Sequence, residues 1–543
     1  MAQCEERPVL REIRGETIVS VTANELLTQV RRARKFLRRS GLQKGDRCGL
    51  LANNSIRWVA LDLALMAEGI VVVPLYARHA PAELATIMKD CSPRLLCCGD
   101  TGLAVAEGMP SAPVRVLFDE IFAETGAVEN IAEKQAPREP GDVVTIIYTS
   151  GTSGEAKGVC LTVANLDHML GCTTGRLNQL MGATSEPDRV YHYLPFNFAG
   201  SWILLLTCLS RSSILSLSTD LNKLADEIRL ASPHYFLNVP TLLERVRKGV
   251  EENLQKSGGL ISKAFKHTWK DFRHSAAGND KSRTSFWGAI AALFIFPKVR
   301  ARFGANLRAL ICGSAPLAGE TQIFYNMLGI RVLQVYGLTE TSGICTMDDP
   351  QGTVEPGFVG PAIPHVEMTC GENQEILVRG PNIFAGYWNR PQETEAVLCG
   401  GWFHTGDQGE VSDAGNWRIV GRIKNLLILN SGHKIAPEPI EEKILSLLPD
   451  AQQVILMGNG RGYLTALIAP ASHGQITSAI VNTALETVNR DLPHYKQIRA
   501  FHLLPEPLSI ESGLLTGNGK LKREAIGARF AAEIDALYQR QHA

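Results

Sequence analysis

Short apolar strands alternate with amphipathic helices along the first hundred residues, and this alternation limits the fold more than any other feature. Residues 22–40 place apolar side chains at helical spacing behind a candidate capping box of Thr22 and Glu25. The pattern continues with a strand at Arg47–Leu51, a helix over 55–68, a strand at Ile70–Pro74, a helix over 81–90 and a strand at Leu95–Cys98. This repeat predicts a parallel sheet covered by helices, which is an α/β fold.

The chain is long enough for more than one domain, because 543 residues exceed what a single core usually organises. Near residues 420–425 the pattern restarts, with a helix over 437–448, strands over 453–457 and 463–469, and a helix over 475–489. We therefore expect a large N-terminal domain of parallel and mixed sheets over residues 1–423. A small α+β domain is expected over residues 424–543.

The charge balance and the cysteine pattern exclude several classes of function. Lys plus Arg and Asp plus Glu both number 55, so the chain lacks the basic excess of a nucleic-acid-binding protein. The twelve cysteines show no zinc-ligand spacing and are interpreted as reduced thiols. No signal peptide and no apolar run of about 20 residues is visible, so we expect a soluble, cytoplasmic protein.

Residues 251–284 form a basic segment, with seven Lys or Arg against four Asp or Glu. Ile261, Phe265, Thr268 and Phe272 fall on one helical face beside Trp269. A surface helix docked through this face is the favoured interpretation. Contact with a membrane surface through an amphipathic basic helix is the alternative.

The stretch Tyr148–Gly158 (YTSGTSGEAKG) carries the clearest chemical signal, because it follows an apolar strand at Val143–Ile147. Hydroxyl side chains between Gly151 and Gly154 allow backbone N–H groups and hydroxyls to surround a phosphate, and Lys157 adds positive charge. It is not a Walker A loop, since that pattern needs Gly-Lys-Ser/Thr.

Together with six further motifs, this loop resembles the adenylate-forming superfamily of acyl-CoA synthetases, luciferases and peptide-synthetase adenylation domains. The resemblance covers residues 20–540. The motifs occur in the family's order: Gly313–Leu317 (GSAPL), Tyr336–Thr341 (YGLTET), Trp402–Asp407 (WFHTGD), Gly421–Asn425 (GRIKN), Ser431–Lys434 (SGHK) and Thr516–Lys520 (TGNGK).

The resemblance implies ATP and CoA as co-substrates, Mg²⁺ as cofactor, and a reaction in which a carboxylate attacks the α-phosphate of ATP. The substrates supply both nucleophiles, so the protein supplies positioning and charge stabilisation. The sequence Thr405–Asp407 predicts a Thr-Gly-Asp turn whose carboxylate could accept two hydrogen bonds from ribose hydroxyls. Tyr336 resembles the residue that stacks on adenine, Asp407 the ribose ligand, and Thr339 with Glu340 the pair near the phosphates. The nucleotide-binding set that the resemblance implies is Thr149, Ser150, Gly151, Thr152, Ser153, Gly154, Lys157, Gly313, Ser314, Ala315, Tyr336, Gly337, Thr339, Asp407 and Arg422, with Glu340 and Thr149 near the metal. A helix-capping role for Thr339 and Glu340 is the competing interpretation.

Lys520 resembles the family's mobile lysine, which stabilises the charge that develops between carboxylate and α-phosphate. Lys424 occupies the family's hinge position, and Gly432 lies in the segment that lines the pantetheine tunnel. The resemblance therefore implies a mobile C-terminal domain and a cycle of two conformations: adenylation with Lys520 in place, then thioester formation after rotation.

The sequence gives less information about which carboxylic acid is the substrate. Ala199 stands where amino-acid-activating members hold an aspartate, so an ammonium group would be left unpaired and amino acids are disfavoured. Phe198 stands where many acyl-CoA synthetases carry histidine, and the stretch Trp202–Leu206 is interpreted as a core helix rather than an acyl tunnel.

Residues 238–284, Gly421–Gly432 and Gly386–Pro391 resemble the long-chain branch, which favours an AMP-forming long-chain fatty acid–CoA ligase. The alternatives are an acyl-AMP ligase that serves a carrier protein, a ligase for an aryl or shorter-chain acid, and a scaffold that retains only the fold. Intact Asp407, Glu340 and Lys520 argue against the scaffold.

Overall fold

The computed structural model describes most of the chain, in segments from residue 6 to residue 539. These are residues 6–77, 81–99, 114–123, 135–150, 156–182, 186–256, 258–276, 286–471, 474, 476–509, 512–515 and 521–539. No disulfide bond joins the cysteines within these segments. Among the same residues, none of the helices combines the length and the apolar character needed to cross a bilayer.

The first part of the chain has the alternation that the sequence predicts. Its elements are β1 (Pro8–Arg14), β2 (Thr17–Thr22), α1 (Ala23–Arg39), β3 (Arg47–Leu51), α2 (Ile56–Ala67), β4 (Val71–Leu75), α3 (Pro81–Cys91), β5 (Leu95–Cys98), β6 (Val114–Leu117) and α4 (Phe118–Phe122). The predicted capping box is present, since Glu25 N donates to Thr22 Oγ1 and Thr22 N donates to Glu25 Oε2. α1 therefore begins where the sequence places it.

The central part continues the same plan. Its elements are β7 (Val143–Ser150), β8 (Ala156–Thr162), α5 (Val163–Met181), β9 (Arg189–His192), α6 (Ala199–Ser210), β10 (Ile214–Ser218), α7 (Leu224–Ala231), β11 (Tyr235–Asn238), α8 (Pro240–Lys256), α9 (Gly259–Ala276), α10 (Phe286–Phe294), α11 (Phe296–Arg300), β12 (Ala309–Cys312), α12 (Gly319–Met327), β13 (Arg331–Tyr336) and β14 (Thr346–Met347).

The last part begins with short strands and ends in helices. Its elements are β15 (Glu367–Cys370), β16 (Glu375–Arg379), β17 (Gly386–Tyr387), α13 (Pro391–Val397), β18 (Leu398–Cys399), β19 (Trp402–Val411), β20 (Trp417–Arg422), β21 (Leu427–Ile428), β22 (Lys434–Ile435), α14 (Glu438–Leu447), β23 (Ala451–Met457), β24 (Leu464–Pro470), α15 (Ser478–Arg490), β25 (Ile498–Leu503), α16 (Arg523–Arg529) and α17 (Ala531–Gln539). Short 3₁₀ helices at Thr339–Thr341 and Ile423–Asn425 connect strands near the residues of interest.

The strands form mixed sheets with parallel centres. One sheet has the order β14-β13-β12-β11-β9-β10-β1-β2, and a second has the order β17-β8-β7-β4-β3-β5-β6. In the first sheet, neighbours from β1 to β13 pair in parallel apart from the β1–β2 hairpin. The predicted α/β class is confirmed, because helices alternate with these strands and central strands such as β4, β10 and β12 are buried.

The chain divides into two compact units, each with its own core. The first comprises Met1–Met368, Val378–Phe403 and Val411–Trp417, and the second Thr369–Leu377, His404–Glu410 and Arg418–Ala543. In the second unit β23 pairs antiparallel with β24, which pairs parallel with β25. The domain boundary at 423/424 stays a prediction; the longest segment of the second unit begins at Arg418.

The basic segment after α8 docks through the predicted apolar face. Phe265 and Thr268 of α9 are buried, and Trp269 and Phe272 pack against the same core cluster. Arg247 of α8 lies over the Trp269 ring, 5.2 Å from its centroid. The favoured interpretation of a docked surface helix is therefore confirmed for Phe265, Thr268, Trp269 and Phe272, whereas Ile261, predicted for the same face, is exposed. Residues 257 and 277–284 of the segment lie outside the described residues.

Candidate active site

The hairpin of β7 and β8 places both ends of the glycine loop side by side. Thr149 pairs with Lys157 across this antiparallel ladder. Gly158, next to Lys157, has no room for a side chain, because a Cβ there would lie 2.7 Å from Ile146 Cγ2. Loop residues 151–155, with the predicted Gly151, Thr152, Ser153 and Gly154, lie outside the described residues, as does the Ser150 side chain.

Two parallel strands of the first unit bring two predicted motifs to one sheet edge. β12 and β13 are parallel neighbours, so Gly313, Ser314 and Ala315 leave the sheet beside Tyr336 at the end of β13. Ser314 has a positive φ of 72°, which makes the chain turn sharply after β12. Carboxyl ends of parallel strands are where α/β proteins commonly bind ligands.

Close backbone contacts require a glycine at position 337. A Cβ on Gly337 would lie 2.4 Å from Ile344 Cα and 2.6 Å from Gly343 O, which rigid backbone cannot relieve. Cys345 N donates to Tyr336 O at 2.8 Å across the same turn. The chain therefore folds back tightly here, and this fixes the 3₁₀ helix that carries Thr339 and Glu340.

Glu340 is held at both its backbone and its side chain. Its carbonyl oxygen accepts from Phe384 N at 2.9 Å, and its Oε1 accepts from the Tyr387 phenol at 2.9 Å. Burial, followed by the nearby Glu340 charge, raises the pKa of Tyr387, so the phenol stays protonated and remains a donor. These contacts orient the carboxylate, and at the start of the 3₁₀ helix Thr341 Oγ1 accepts from Leu338 N at 2.8 Å.

Lys157 belongs to the same cluster. Its ammonium forms an ion pair with Glu393 of α13 and lies 5.1 Å from the centroid of the Tyr387 ring. The hydrogen bond from Lys157 lowers the pKa of Glu393. Lys157, Glu340, Tyr387 and Glu393, which we call the carboxylate cluster, therefore combine two acids, one amine and one phenol within the first unit.

The carboxylate cluster suits Mg²⁺ bound together with phosphates. Oxygen ligands are what this cation prefers, and it usually takes one or two carboxylates plus phosphate oxygens and water. No group of three or more His, Cys, Asp or Glu side chains that could cage a metal occurs among the described residues. Glu340 alone would supply the protein carboxylate, which fits a nucleotide-borne cation.

The second unit carries the predicted ribose residues. Asp407 is 3% exposed, and its Oδ1 accepts from Arg422 Nε at 2.7 Å. Both residues lie on paired strands, β19 and β20, which explains how two residues fifteen positions apart meet. The structure thus brings together the aspartate and the arginine that the resemblance assigns to one sugar.

The prediction of a turn at Thr405–Asp407 is wrong. These residues lie inside β19 instead of in a turn. The strand is irregular at this point, because Gly406 has a φ of 69° and Thr405 Oγ1 bonds to Ile376 O and accepts from Asp407 N. The Thr-Gly-Asp sequence thus interrupts a strand without ending it.

The predicted hinge and CoA-side residues lie in irregular backbone of the second unit. Lys424 is in the 3₁₀ helix between β20 and β21, and Gly432, with a φ of 83°, is in the turn between β21 and β22. Lys520 lies outside the described residues. The described chain on either side of it pairs through Leu515 and Leu521.

The predicted acyl-side residues border α6. Phe198 directly precedes this helix, and Ala199 begins it in a buried position. Trp202 to Leu206 are buried in α6, and Trp202 Nε1 donates to Asp62 Oδ2 at 3.0 Å. The interpretation of this stretch as a core helix is confirmed.

Sequence reasoning missed Tyr387 and Glu393. Tyr387 lies in the segment Gly386–Pro391, which indicates a subfamily likeness without a chemical role, and Glu393 lies just beyond that segment. The sequence signal that could have indicated them is an aromatic residue and an acid close to a segment that resembles the family. Their position near Glu340 and Lys157 depends on the pairing of β17 with β8, which lies more than 200 residues earlier in the chain.

The structure is similar to solved adenylate-forming enzymes. An ATP-bound MatB from Rhodopseudomonas palustris matches with a TM-score of 0.73 at 24% identity, over 97% of this chain and 96% of that one. An o-succinylbenzoate CoA synthetase from Bacillus subtilis, in complex with its acyl-adenylate intermediate, matches with a TM-score of 0.74 at 21% identity, over 96% and 95%. At these identities the likeness shows a shared fold.

Curated relatives align with nearly the whole chain. The long-chain-fatty-acid–CoA ligase FadD15 of Mycobacterium bovis is 28% identical, over 96% of this chain and 92% of its own length. Long chain acyl-CoA synthetase 3 of Arabidopsis thaliana is 28% identical, over 93% and 84%. The AMP-binding enzyme family matches residues 1–388, and its C-terminal domain family matches residues 424–542. The chain therefore belongs to the AMP-binding enzyme family.

Proposed function

We propose that this protein is an AMP-forming long-chain fatty acid–CoA ligase. The observation that carries the proposal is the alignment, over nearly the whole chain, with relatives named long-chain fatty acid or acyl-CoA ligases. The carboxylate oxygen of the acid attacks the α-phosphorus of ATP, and the bond to the leaving pyrophosphate breaks. The thiolate of CoA then attacks the acyl carbon, and AMP leaves with its bonding electrons.

The protein's part in this chemistry is positioning and charge. Tyr336, with Gly313 to Ala315, would hold the base at the carboxyl edge of β12 and β13. Asp407 and Arg422 would hold the ribose, and Lys520 would stabilise the charge that develops between carboxylate and α-phosphate. Groups aimed at developing charge commonly contribute about 10²–10³ in rate.

The phosphate side of the proposal uses the hairpin and the carboxylate cluster. Thr149 and Lys157 stand on paired positions at the loop ends, so both would face the same phosphates. Glu340 would hold Mg²⁺, which supplies positive charge near the departing pyrophosphate. Tyr387 would position Glu340 through the 2.9 Å hydrogen bond.

The acid side favours an uncharged acyl chain. Ala199 offers only a methyl group where an α-ammonium would need a carboxylate, and Trp202 to Leu206, further along α6, are apolar and buried. An unpaired ammonium in such surroundings costs several kcal/mol. This supports a fatty acid over an amino acid.

The activity is tested by pyrophosphate–ATP exchange over a panel of C2 to C18 acids and aryl acids. We expect exchange to be fastest with a long-chain acid such as palmitate, and palmitoyl-CoA to form when CoA is added. Transfer to a holo carrier protein but not to CoA would favour the acyl-AMP ligase alternative. Absence of exchange with every acid would contradict the proposal.

For the membrane contact expected through residues 251–284, we propose a surface other than the docked face of α9, and this surface also includes the adjacent helix α10. Helix α10 leaves Phe286, Leu293 and Phe294 exposed. The neighbouring α9 exposes Lys263 and Lys266 to solvent. Exposed apolar and basic side chains together suit an anionic lipid surface, where a long-chain acid would also reside.

Liposome co-sedimentation tests this contact. With vesicles containing phosphatidylserine, the triple change Phe286→Ser, Leu293→Ser and Phe294→Ser should reduce binding strongly. Changing the exposed Leu447 of α14 to serine is the control. Equal binding of all forms would contradict the membrane proposal and leave the ligase proposal intact.

A further inference from the structure

A cavity of about 540 Å³ lies in the first unit, and none of the residues that line it is assigned to the reaction. Its walls come from the β1–β2 hairpin, α1, α4 and the segment that precedes α2. The alternation of side chains along a strand explains which hairpin residues line the cavity. Glu12 and Arg14 share one face of β1, and Val19 of β2 pairs with Glu12. Gln29 and Arg32, three residues apart, share one face of α1.

Three charged side chains that line the cavity, Glu12, Arg14 and Arg57, already have partners. The Glu12 carboxylate accepts from Ile56 N at 2.6 Å, at the start of α2, and forms an ion pair with Arg14 at 2.5 Å. Arg57 forms an ion pair with Asp119. The Glu12 carboxylate therefore pairs with Arg14 and also accepts a hydrogen bond from the first residue of α2.

Two other polar side chains at the cavity, Gln29 and Arg32, carry atoms that lack hydrogen-bond partners among the described residues. Within the described segments, the buried atoms Gln29 Oε1 and Arg32 Nε have no hydrogen-bond partner. Buried polar atoms normally have partners, and leaving one without a partner costs about 1–3 kcal/mol. Gln29 and Arg32 thus line the cavity, and each side chain carries a buried polar atom without a partner in the described part of the chain.

Apolar side chains complete the cavity. Val19 and Val21 line it from the hairpin, and Phe118 and Phe122 line it from α4, with their ring centroids 6.2 Å apart. Concave pockets of roughly 300–1,000 Å³ are typical small-molecule sites, and this one is lined by polar and charged residues as well as apolar ones. We propose that this cavity binds a small organic anion, a carboxylate or phosphate ester with an apolar body, whose anionic oxygen pairs with Arg32.

One wall residue connects the cavity to the acyl side. Asn54 Nδ2 donates to Leu194 O at 2.8 Å, and Asn54 Oδ1 accepts from Phe196 N at 3.0 Å. This segment leads directly into Phe198 and α6. An effect of the ligand on turnover rests on the proposed function, whereas binding itself does not.

The test uses the full chain and the fluorescent probe 8-anilinonaphthalene-1-sulfonate, an aromatic anion with one N–H donor. Arg32→Gln should weaken its binding about 10- to 100-fold, the usual effect of losing a hydrogen bond to a charged group. Arg39→Gln, at the other end of α1, should not. Val19→Trp should block the cavity from its exposed side, and thermal unfolding checks that each variant is folded.

Hexyl phosphate and hexanoate then compete with the probe and identify the head group. Displacement by either supports the proposal, and failure of both overturns the ligand class. Equal probe affinity in the wild type, Arg32→Gln and Val19→Trp would mean that the cavity holds water only. Palmitate-dependent exchange should persist in Arg32→Gln without ligand. If neither the wild type nor Arg32→Gln showed exchange, the proposed function would be contradicted, whereas the binding site in this cavity would not.

Discussion

The Tyr387 phenol donates a hydrogen bond to Glu340 Oε1 over 2.9 Å and so joins strand β17 to the 3₁₀ helix after β13. The same tyrosine ring lies beneath the Lys157 ammonium, which pairs with Glu393. One phenol therefore fixes the position of the acid proposed to hold Mg²⁺ relative to the amine proposed to meet phosphate.

Tyr387→Phe should slow acyl-adenylate formation about 10- to 100-fold, because hydrogen bonds to charged groups are worth about 1.5–3 kcal/mol. Pyrophosphate exchange measures this rate. Tyr235→Phe is the matched control: its phenol donates to Asp188 Oδ2 at 3.0 Å near the start of β11, at the opposite edge of the sheet. The control should lower the unfolding temperature without changing exchange. A wild-type exchange rate in Tyr387→Phe would refute the positioning role.

Lys520→Ala should reduce acyl-adenylate formation about 10²–10³-fold, the usual effect of removing one charged stabiliser of the transition state. Thioester formation from a supplied acyl-adenylate should remain largely intact, because the resemblance gives this lysine no part in the second step. Lys522→Ala, an exposed lysine two residues further on, is the control. An equal loss in both half-reactions would show that the assigned role is wrong.

Asp62 should make folding stability depend on pH. Burial raises its pKa to about 7, although the hydrogen bond from Trp202 and the charge of Arg138 act in the opposite direction. The folded protein thus binds a proton that the unfolded chain loses near pH 4, and stability falls as pH rises from there to about 7. Between pH 5 and 8 the wild type should lose roughly 2–3 kcal/mol relative to Asp62→Asn. Urea unfolding of both proteins checks this, and a constant difference would contradict it.

Gly337→Ala should destabilise the fold and abolish exchange, because the added methyl would lie 2.4 Å from Ile344 Cα and displace the segment that carries Glu340. Gly175→Ala is the control. At this position in α5 the added methyl meets no described atom within 4 Å, and alanine should stabilise the helix by about 0.5–1 kcal/mol. Unfolding temperature and exchange should separate the two variants, and wild-type behaviour of Gly337→Ala would contradict the close contact.

Local signals predicted the fold well. The capping box of Thr22 and Glu25 placed the start of α1, and apolar runs placed β3 and β5, because such elements are specified by neighbours in the chain. The Thr405–Asp407 segment shows where local reasoning fails. A glycine beside small polar residues indicates a turn, but pairing with neighbouring strands keeps these residues in β19.

The candidate site was predictable only in part. Motifs gave Glu340, Asp407 and Lys157 by resemblance, but no local pattern shows that Lys157 meets Glu393 or that Tyr387 meets Glu340. Those contacts depend on the register of β17 against β8, which pairs residues far apart in sequence. Long-range pairing of this kind is set by tertiary packing.

The ion pair between Lys157 and Glu393 also bears on how readily spent nucleotide departs. A lysine that already has a carboxylate neighbour exchanges one anion for another when phosphate arrives, so its net gain is smaller than that of an unmatched amine. Under the proposed role of Lys157, Glu393 would take back the ammonium when pyrophosphate leaves. Such a built-in counter-ion would limit retention of the product.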